Sequence, residues 1–243
     1  MSLKQLFTST IDNEILLNMD MAELYKGIWV NSGIIFVPEF NTYLIEIGYN
    51  IPIKEITDFD NDSAESLGEI FTSNQSDKST FSNYHILYSY IFNLFGKESP
   101  LQILEFGLDK RPGGSLYAFR EYLPNANMCG TSPDADILFQ DERIKTVCVD
   151  QYILSDFMAV PNALANTQFD LIIQNGDTSI TPMLNTMLFA LNNLNNNGWI
   201  VVEDIQVSHN WRFIDFMLND TKLYKTYMIR SSAALMYVIH KLP

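Results

Sequence analysis

The fold class of this chain is indicated by the segment Leu101-Gln102-Ile103-Leu104-Glu105-Phe106-Gly107, which is followed closely by Gly113-Gly114-Ser115. An apolar run that ends on an acid and a glycine is typical of a buried strand. A glycine-rich turn that leads into a helix presents backbone N–H groups to a ligand. In α/β sheets such ligands bind at the carboxyl ends of the strands. The segment therefore predicts an α/β fold with a ligand-binding edge at Glu105 and Gly107.

Further apolar strands alternate with helical patterns after this segment. The sequence predicts strands over residues 127–130, 144–149, 169–173 and 199–202, and a terminal antiparallel hairpin over residues 224–230 and 233–240. Near-continuous apolar runs are typical of parallel strands that are covered on both faces. We therefore expect a Rossmann-like, mostly parallel sheet of about seven strands that ends in an antiparallel hairpin.

The first 75 residues show a different pattern. They predict a short helix, then short antiparallel strands over residues 27–30, 34–37 and 42–47, and an acidic connector over residues 57–66. We expect a small α+β extension over residues 1–75 and the main domain over residues 76–243. Trp29, Ile34, Ile35 and Phe36 are more apolar than a peripheral hairpin needs, which favours a homo-oligomer.

Composition narrows the classes of partner. The chain has 243 residues, 47% of them hydrophobic, and a formal net charge of −14. This charge disfavours nucleic acid as a partner, because the protein would repel a polyphosphate backbone. No run approaches the roughly 18 apolar residues that span a bilayer, and the N-terminus lacks a basic stretch followed by an apolar one. We expect a cytoplasmic protein without membrane contact, in which Cys129 and Cys148 are unpaired thiols in buried strands.

Four stretches carry a resemblance to a known family. They are Ser76-Asp77-Lys78 through Tyr84, Leu104 through Gly107 with Gly113 through Leu116, Arg143 through Gln151, and Gly198 through Gln206. In this order they resemble the class I S-adenosylmethionine-dependent methyltransferases, in particular the branch of cephalosporin-hydroxylase-like proteins and macrolide sugar O-methyltransferases. The resemblance covers about residues 76–206.

The resemblance implies S-adenosylmethionine as the cofactor and assigns residues to it. Glu105, Gly107, Gly113, Gly114 and Ser115 would bind its methionine end, and Asp150 would lie near the adenine amino group. Each position also has an ordinary structural interpretation. Glycines permit tight turns, Ser115 is a possible N-cap of the next helix, and aspartates at strand ends often cap helices.

The chain departs from the family at two strand ends. The acid that grips the ribose is replaced by Gly130-Thr131-Ser132, which leaves Ser132 and Asp134 as candidates. The family's Asp-Asp-Gly-Ser-His becomes Gln174-Asn175-Gly176-Asp177-Thr178, with Gln174 as a candidate cofactor contact. Amides are weaker ligands than carboxylates for a hard cation such as Mg²⁺. The candidate metal ligands are Glu203, Asp204 and Asp177.

Two functions remain open from the sequence. The first is methyl transfer to a hydroxyl of a small molecule or sugar, with His209 and Asp204 as candidate catalytic residues, since the pKa of histidine lies near neutrality. The second is a methyltransferase-like scaffold that has lost catalysis and serves in binding or assembly. A nicotinamide-dependent oxidoreductase would need a Gly-x-Gly-x-x-Gly turn, which the spacing from Gly107 to Gly113 does not supply.

Overall fold

The structure is a computed structural model that describes residues 44–108, 113–164, 168–205 and 211–243. In chain order the elements are β1 (Ile53–Glu55), α1 (Ala64–Ser73), α2 (Asp77–Thr80), α3 (His85–Phe95), β2 (Gln102–Phe106), α4 (Gly114–Tyr122), β3 (Asn127–Ser132), β4 (Gln140–Asp141), β5 (Ile144–Cys148), α5 (Ala159–Ala163), β6 (Phe169–Gln174), α6 (Ile180–Asn193), β7 (Leu194–Ile205), α7 (Arg212–Thr221), β8 (Tyr224–Arg230) and β9 (Leu235–Lys241). Short 3-10 helices span Ile56–Phe59, Ala135–Ile137 and Leu154–Met158.

The described strands form one sheet in the order β1-β8-β9-β7-β6-β2-β3-β5-β4. Strands β5, β3, β2, β6 and β7 are parallel, and β9 pairs antiparallel with both β7 and β8. The predicted Rossmann-like sheet with a terminal hairpin is therefore confirmed. Strand β2 lies between β3 and β6, so Glu105 lies at the carboxyl edge of an interior strand.

Helices cover both faces of the sheet. Alternate residues of each parallel strand point to opposite faces, so each strand contributes to both sides of the core. On one face Phe106 and Val202 pack with residues of α5, α6 and α7. On the other face Ile103 and Val201 pack with residues of α1, α3 and α4. This double burial explains the near-continuous apolar runs that the sequence shows. Within the described residues, no helix is both long and apolar enough to cross a bilayer.

Part of the predicted N-terminal extension differs in the structure. Residues 44–46 are helical where a strand was predicted, and α1 begins at Ala64, inside the predicted connector. The acidic positions 58 and 60 are exposed, but Ile56 and Phe59 beside them are buried, so the segment packs against the domain. Strand β1 pairs with β8 and joins the main sheet. The predicted strands over residues 27–30 and 34–37 lie outside the described residues, and the domain boundary and the oligomer stay predictions.

Strands β3 and β7 are longer than the sequence predicts. Strand β3 continues through Thr131 to Ser132, and β7 begins at Leu194 instead of at Trp199. The β6–β7 register shifts at this point, and Asn197 has a left-handed φ of 62°. The added part of β7 therefore contains an irregularity of the strand.

Candidate active site

Two adjoining cavities form a crevice at the carboxyl edge of the parallel strands. The first, of about 230 Å³, is lined by Lys78, Glu105 and the start of α4 at Gly114 and Ser115, among others. The second, of about 440 Å³, is lined by the segment that follows β5, residues 150–152, and by residues after β3 and β6. Both cavities share Asp77, Gly107, Leu108 and Asn175, so they meet at a common junction.

Glu105 is the acid around which the first cavity is built. Its side chain is 1% exposed, and its carboxylate accepts hydrogen bonds from the Ser115 hydroxyl and, at 3.3 Å, from the Asn175 amide. Gly113, with a left-handed φ of 91°, occupies the N-cap position of α4. The prediction of Ser115 as the N-cap is therefore wrong, because its hydroxyl orients Glu105 instead of capping the helix.

Lys78 connects Glu105 to the end of β7. Its ammonium lies 3.2 Å from Glu105 and also pairs with Glu203, which accepts a hydrogen bond from the Tyr88 hydroxyl. Burial alone would lower the pKa of Lys78, but the carboxylates of Glu203 and Glu105 raise it above its usual range. Burial raises the pKa of Glu203 to about 7, against the opposing effect of Lys78. When both carboxylates are ionised, one ammonium faces two of them, and negative charge is in excess at this cavity.

Two loops approach so closely at position 107 that the position requires glycine. Its φ is +91°, and a Cβ built on it would lie 2.2 Å from the Cα of Gly176. The same two loops are joined by the hydrogen bond from the Asn175 backbone N–H to the Phe106 carbonyl, at 2.9 Å. A side chain at position 107 would therefore push the ends of β2 and β6 apart.

A network of side-chain amides extends from Gln151, which lines the second cavity, into the protein. The Gln151 amide donates to the Gln174 carbonyl oxygen and, at 2.7 Å, to the Thr186 hydroxyl. Gln174 in turn donates to the backbone carbonyl of Asp177 at 3.0 Å. A carboxylate at position 174 could not donate this last hydrogen bond, so the departure from the family suits the network. Gln174 itself is buried and lines neither cavity.

Asp177 belongs to the rim of the second cavity. Its carboxylate accepts hydrogen bonds from the Ser179 backbone N–H at 2.7 Å and from the Tyr152 hydroxyl at 2.9 Å. Hydrogen bonding to Ser179, and then to Tyr152, lowers the pKa of Asp177. The Tyr152–Asp177 contact joins the segment that follows β5 to the loop after β6.

The predicted metal ligands are not brought together in the described part of the chain. Glu203 is buried with Lys78, Asp177 is exposed on the rim, and Asp204 accepts a hydrogen bond from Tyr84 at 2.6 Å. Among the described residues, no group of three or more His, Cys, Asp or Glu side chains is placed to hold a metal ion.

The other predicted site residues divide into two groups. Glu105, Gly107, Gly113, Gly114, Ser115 and Asp150 line the crevice. Ser132 and Asp134 line neither cavity, because the Ser132 hydroxyl accepts from the Asp134 backbone N–H and the Asp134 carboxylate accepts from the Asp136 backbone N–H. Asp204, with a left-handed φ of 56°, also lines neither cavity. His209 lies outside the described residues.

Several residues that line the crevice were not predicted as site residues from the sequence, among them Asp77, Lys78, Gln151 and Tyr152. Three of them, Asp77, Lys78 and Gln151, stand in stretches that carry the family resemblance, which was the available signal. The contact of Lys78 with Glu203 spans 125 sequence positions, so spacing along the chain could not reveal it.

Comparisons with known proteins identify the fold. No protein-family model and no curated protein sequence matches the chain. Among solved structures it is similar to MycE, a methyltransferase of the mycinamycin biosynthetic pathway solved with Mg, SAH and mycinamycin VI (TM-score 0.61, 14% identity, 93% of this chain and 62% of that chain). A second MycE structure with Mg and SAH gives a TM-score of 0.60 at 15% identity over 72% of this chain and 54% of that one.

A third similar structure is a Plasmodium falciparum protein described as a ribosomal RNA methyltransferase, with a TM-score of 0.50, 12% identity, and coverage of 75% of this chain and 97% of that one. The present chain spans 54% to 62% of the length of these two MycE chains. At such low identity the likeness concerns the fold. The chain has the Rossmann-like α/β fold of the class I S-adenosylmethionine-dependent methyltransferases.

Proposed function

We propose that the chain is an S-adenosylmethionine-dependent methyltransferase that acts on a hydroxyl of a small molecule or sugar. The observation that carries the proposal is the two-part crevice at the carboxyl ends of β2 and its neighbours. Its two cavities, of about 230 and 440 Å³, suit an elongated ligand with two chemically different ends. Solved structures with the same fold contain SAH, the product S-adenosylhomocysteine, which supports this ligand.

The residues of the first cavity fit an amino acid group. Glu105 and the excess negative charge around Lys78 suit an ammonium. The α4 N-terminus at Gly114 and Ser115 has backbone N–H groups without partners inside the helix, and these suit a carboxylate, as does the Lys78 ammonium.

The residues of the second cavity fit a nucleobase. Asp150 offers a carboxylate to an exocyclic amino group, and Tyr152 offers an aromatic ring that is 51% exposed. Gly107, which has no side chain, lies at the junction between the two ends.

Methyl transfer asks little of the protein. When bound, S-adenosylmethionine would supply a methyl group that is already activated on a sulfonium. The chain then has to align the acceptor hydroxyl and remove its proton. His209 and Asp204 are the proposed catalytic residues, because Asp204 is the penultimate residue of β7, in a strained backbone conformation with a φ of 56°, and His209 follows this strand in the sequence.

The donor set does not fit the divalent cation that the family resemblance implies. Glu203 is paired with Lys78 and Tyr88, and position 175 is an amide that donates to Glu105. The proposed reaction therefore has no step through a metal. The net charge of −14 supports a small-molecule acceptor over ribosomal RNA. A cytoplasmic location and a homo-oligomer also remain proposals.

Isothermal titration calorimetry of the whole chain with S-adenosylmethionine and SAH tests the proposal. We expect both to bind the wild-type chain, and Glu105→Gln to bind at least about tenfold more weakly, because a charge-assisted hydrogen bond is worth roughly 1.5–3 kcal/mol. Glu69→Gln, which changes an exposed acid of α1, is the matched control and should bind like wild type. No heat of binding at millimolar ligand would contradict the proposal and favour the scaffold without catalysis.

A further inference from the structure

Among the described residues, the junction of the two cavities contains one charged side chain. Of the four described residues that line both cavities, Asp77, Gly107, Leu108 and Asn175, Asp77 is the charged one. The Asn175 side chain already donates to Glu105 at 3.3 Å. Asp77 is exposed at the crevice. A nucleoside that extends from one cavity to the other would place its sugar next to this carboxylate.

Asp77 is held in place by its neighbours in α2. The adjacent Lys78 is 1% exposed and bound to Glu105 and Glu203, and the Ser79 hydroxyl lies 2.8 Å from that of Thr72. Left-handed residues stand on both sides of this short helix, Gln75 and Asn83, each with a φ of 58°. Non-glycine residues adopt this conformation at an energetic cost, and they persist in it where the surrounding structure fixes them. The backbone of Asp77 is therefore fixed at the crevice.

The end of β3 does not provide an acid to the crevice. Ser132 is buried at the end of this strand, and the carboxylate of Asp134 caps the 3-10 helix that follows by accepting from the Asp136 backbone N–H at 3.0 Å. The family resemblance assigns the ribose contact to this position, but the side chains of Ser132 and Asp134 accept hydrogen bonds from nearby backbone N–H groups instead. Among the described residues that line both cavities, Asp77 is the one that brings an anionic group to the junction.

We propose that the carboxylate of Asp77 binds the ribose hydroxyls of the nucleoside, in place of the acid that the chain lacks after β3. This inference rests on the proposed function. A carboxylate has two oxygens and can accept a hydrogen bond from each hydroxyl of a vicinal diol. Asp77 reaches the sugar from α2, which precedes β2 in the chain, instead of from a strand end.

Calorimetric titration of the whole chain with SAH tests the assignment, since SAH has the ribose but no sulfonium. Asp77→Ala should weaken SAH binding by about 10- to 100-fold, the effect of one or two charge-assisted hydrogen bonds. Asp62→Ala removes another exposed acid and should bind SAH like wild type. Thermal unfolding of each variant shows whether it folds, and Asp77→Asn, which keeps the side-chain volume, provides a second variant.

Analogues of the ligand separate the possible contacts. In wild type, 2′-deoxy-SAH should bind about tenfold or more weakly than SAH, whereas in Asp77→Ala the two should bind alike. If Asp77→Ala weakens S-adenosylmethionine but leaves SAH unchanged, the carboxylate faces the sulfonium and the ribose assignment is wrong. If Asp134→Ala weakens SAH and Asp77→Ala does not, the strand-end acid has kept its role. If wild type binds neither ligand, the proposed function fails together with this assignment.

Discussion

The ammonium of Lys78 lies 3.2 Å from the carboxylate of Glu105, and both side chains are almost completely shielded from solvent. Because Lys78 also pairs with Glu203, one buried cation joins the carboxyl end of β2 to that of β7. A buried charge that loses its partner is strongly destabilising. In a complete pair, the attraction between the charges roughly offsets the free energy of their desolvation. The same residues that line the first cavity therefore also determine whether the sheet edge is stable.

Replacement of Lys78 should lower the free energy of unfolding of the chain. Lys78→Met keeps the length of the side chain but leaves Glu105 and Glu203 facing each other without a cation, and we expect a loss of about 3–5 kcal/mol in the free energy of unfolding. Denaturant unfolding measures this loss. Lys225→Met, at an exposed lysine of β8, should change it by less than about 0.5 kcal/mol. Adding Glu203→Gln to Lys78→Met should restore part of the stability, and a purely additive double variant would contradict the charge cluster.

Two glycines with positive φ should respond differently to alanine. A Cβ at Gly107 would lie 2.2 Å from the Gly176 Cα, whereas a Cβ at Gly48, where φ is +71°, has no atom within 4 Å. Both substitutions impose left-handed strain of about 1–2 kcal/mol. Gly107→Ala should cost about 1–3 kcal/mol more than Gly48→Ala, because β2 and β6 must move apart. Equal losses in thermal or denaturant unfolding would mean that the two loops are not in contact.

The two cysteines should differ in reactivity. Burial raises the pKa of the Cys129 thiol to about 12, while Cys148 is exposed. In the native protein we expect one thiol per chain to react rapidly with a disulfide reagent such as DTNB, and the second to react after unfolding. Cys148→Ser should remove the rapid phase. The prediction that both cysteines are buried was wrong for Cys148. This residue is the last of β5, and its side chain is exposed. Rapid reaction of both thiols would contradict the buried position of β3.

His85 should make the protein less stable in acid. Burial lowers the pKa of His85 below its ordinary value of 6.5, and its Nδ1 has no hydrogen-bond partner among the described residues. As the pH falls below about 6.5, the unfolded chain takes up a proton that the folded chain does not yet bind, so the free energy of unfolding decreases. This contribution is complete above that pH and is lost as the pH falls through the folded pKa. His85→Gln should show a flatter pH dependence than wild type in denaturant unfolding, and an unchanged slope would contradict the shift.

The sheet was predictable because its signal is local. Each parallel strand is a short apolar run, and Gly96, with a φ of 89°, ends α3 before β2 begins. Glu105 and Asp150 followed from their positions at strand ends, since the carboxyl ends of parallel strands share one edge. The prediction failed where acidic residues surround buried apolar ones. Ile56 and Phe59 are buried although their acidic neighbours are exposed.

The details of the site depend on contacts that the sequence does not show. Ser115 looks like a helix cap in isolation, and only the fold reveals that its hydroxyl points to Glu105. Ser132 was expected to follow β3, but the strand is two residues longer than predicted and ends at Ser132, and Asp134 caps a local helix. Asp77 and Lys78 precede the first parallel strand by more than twenty positions, and only the packing of α2 brings them to its end.

A crystal structure of the chain with SAH shows whether the crevice binds the cofactor product. We expect one bound molecule with its amino acid group beside Glu105 and Ser115, its ribose at Asp77 and Gly107, and its adenine beside Asp150 and Tyr152. Crystals grown with saturating SAH that show an empty crevice, or a molecule bound elsewhere on the chain, would contradict it.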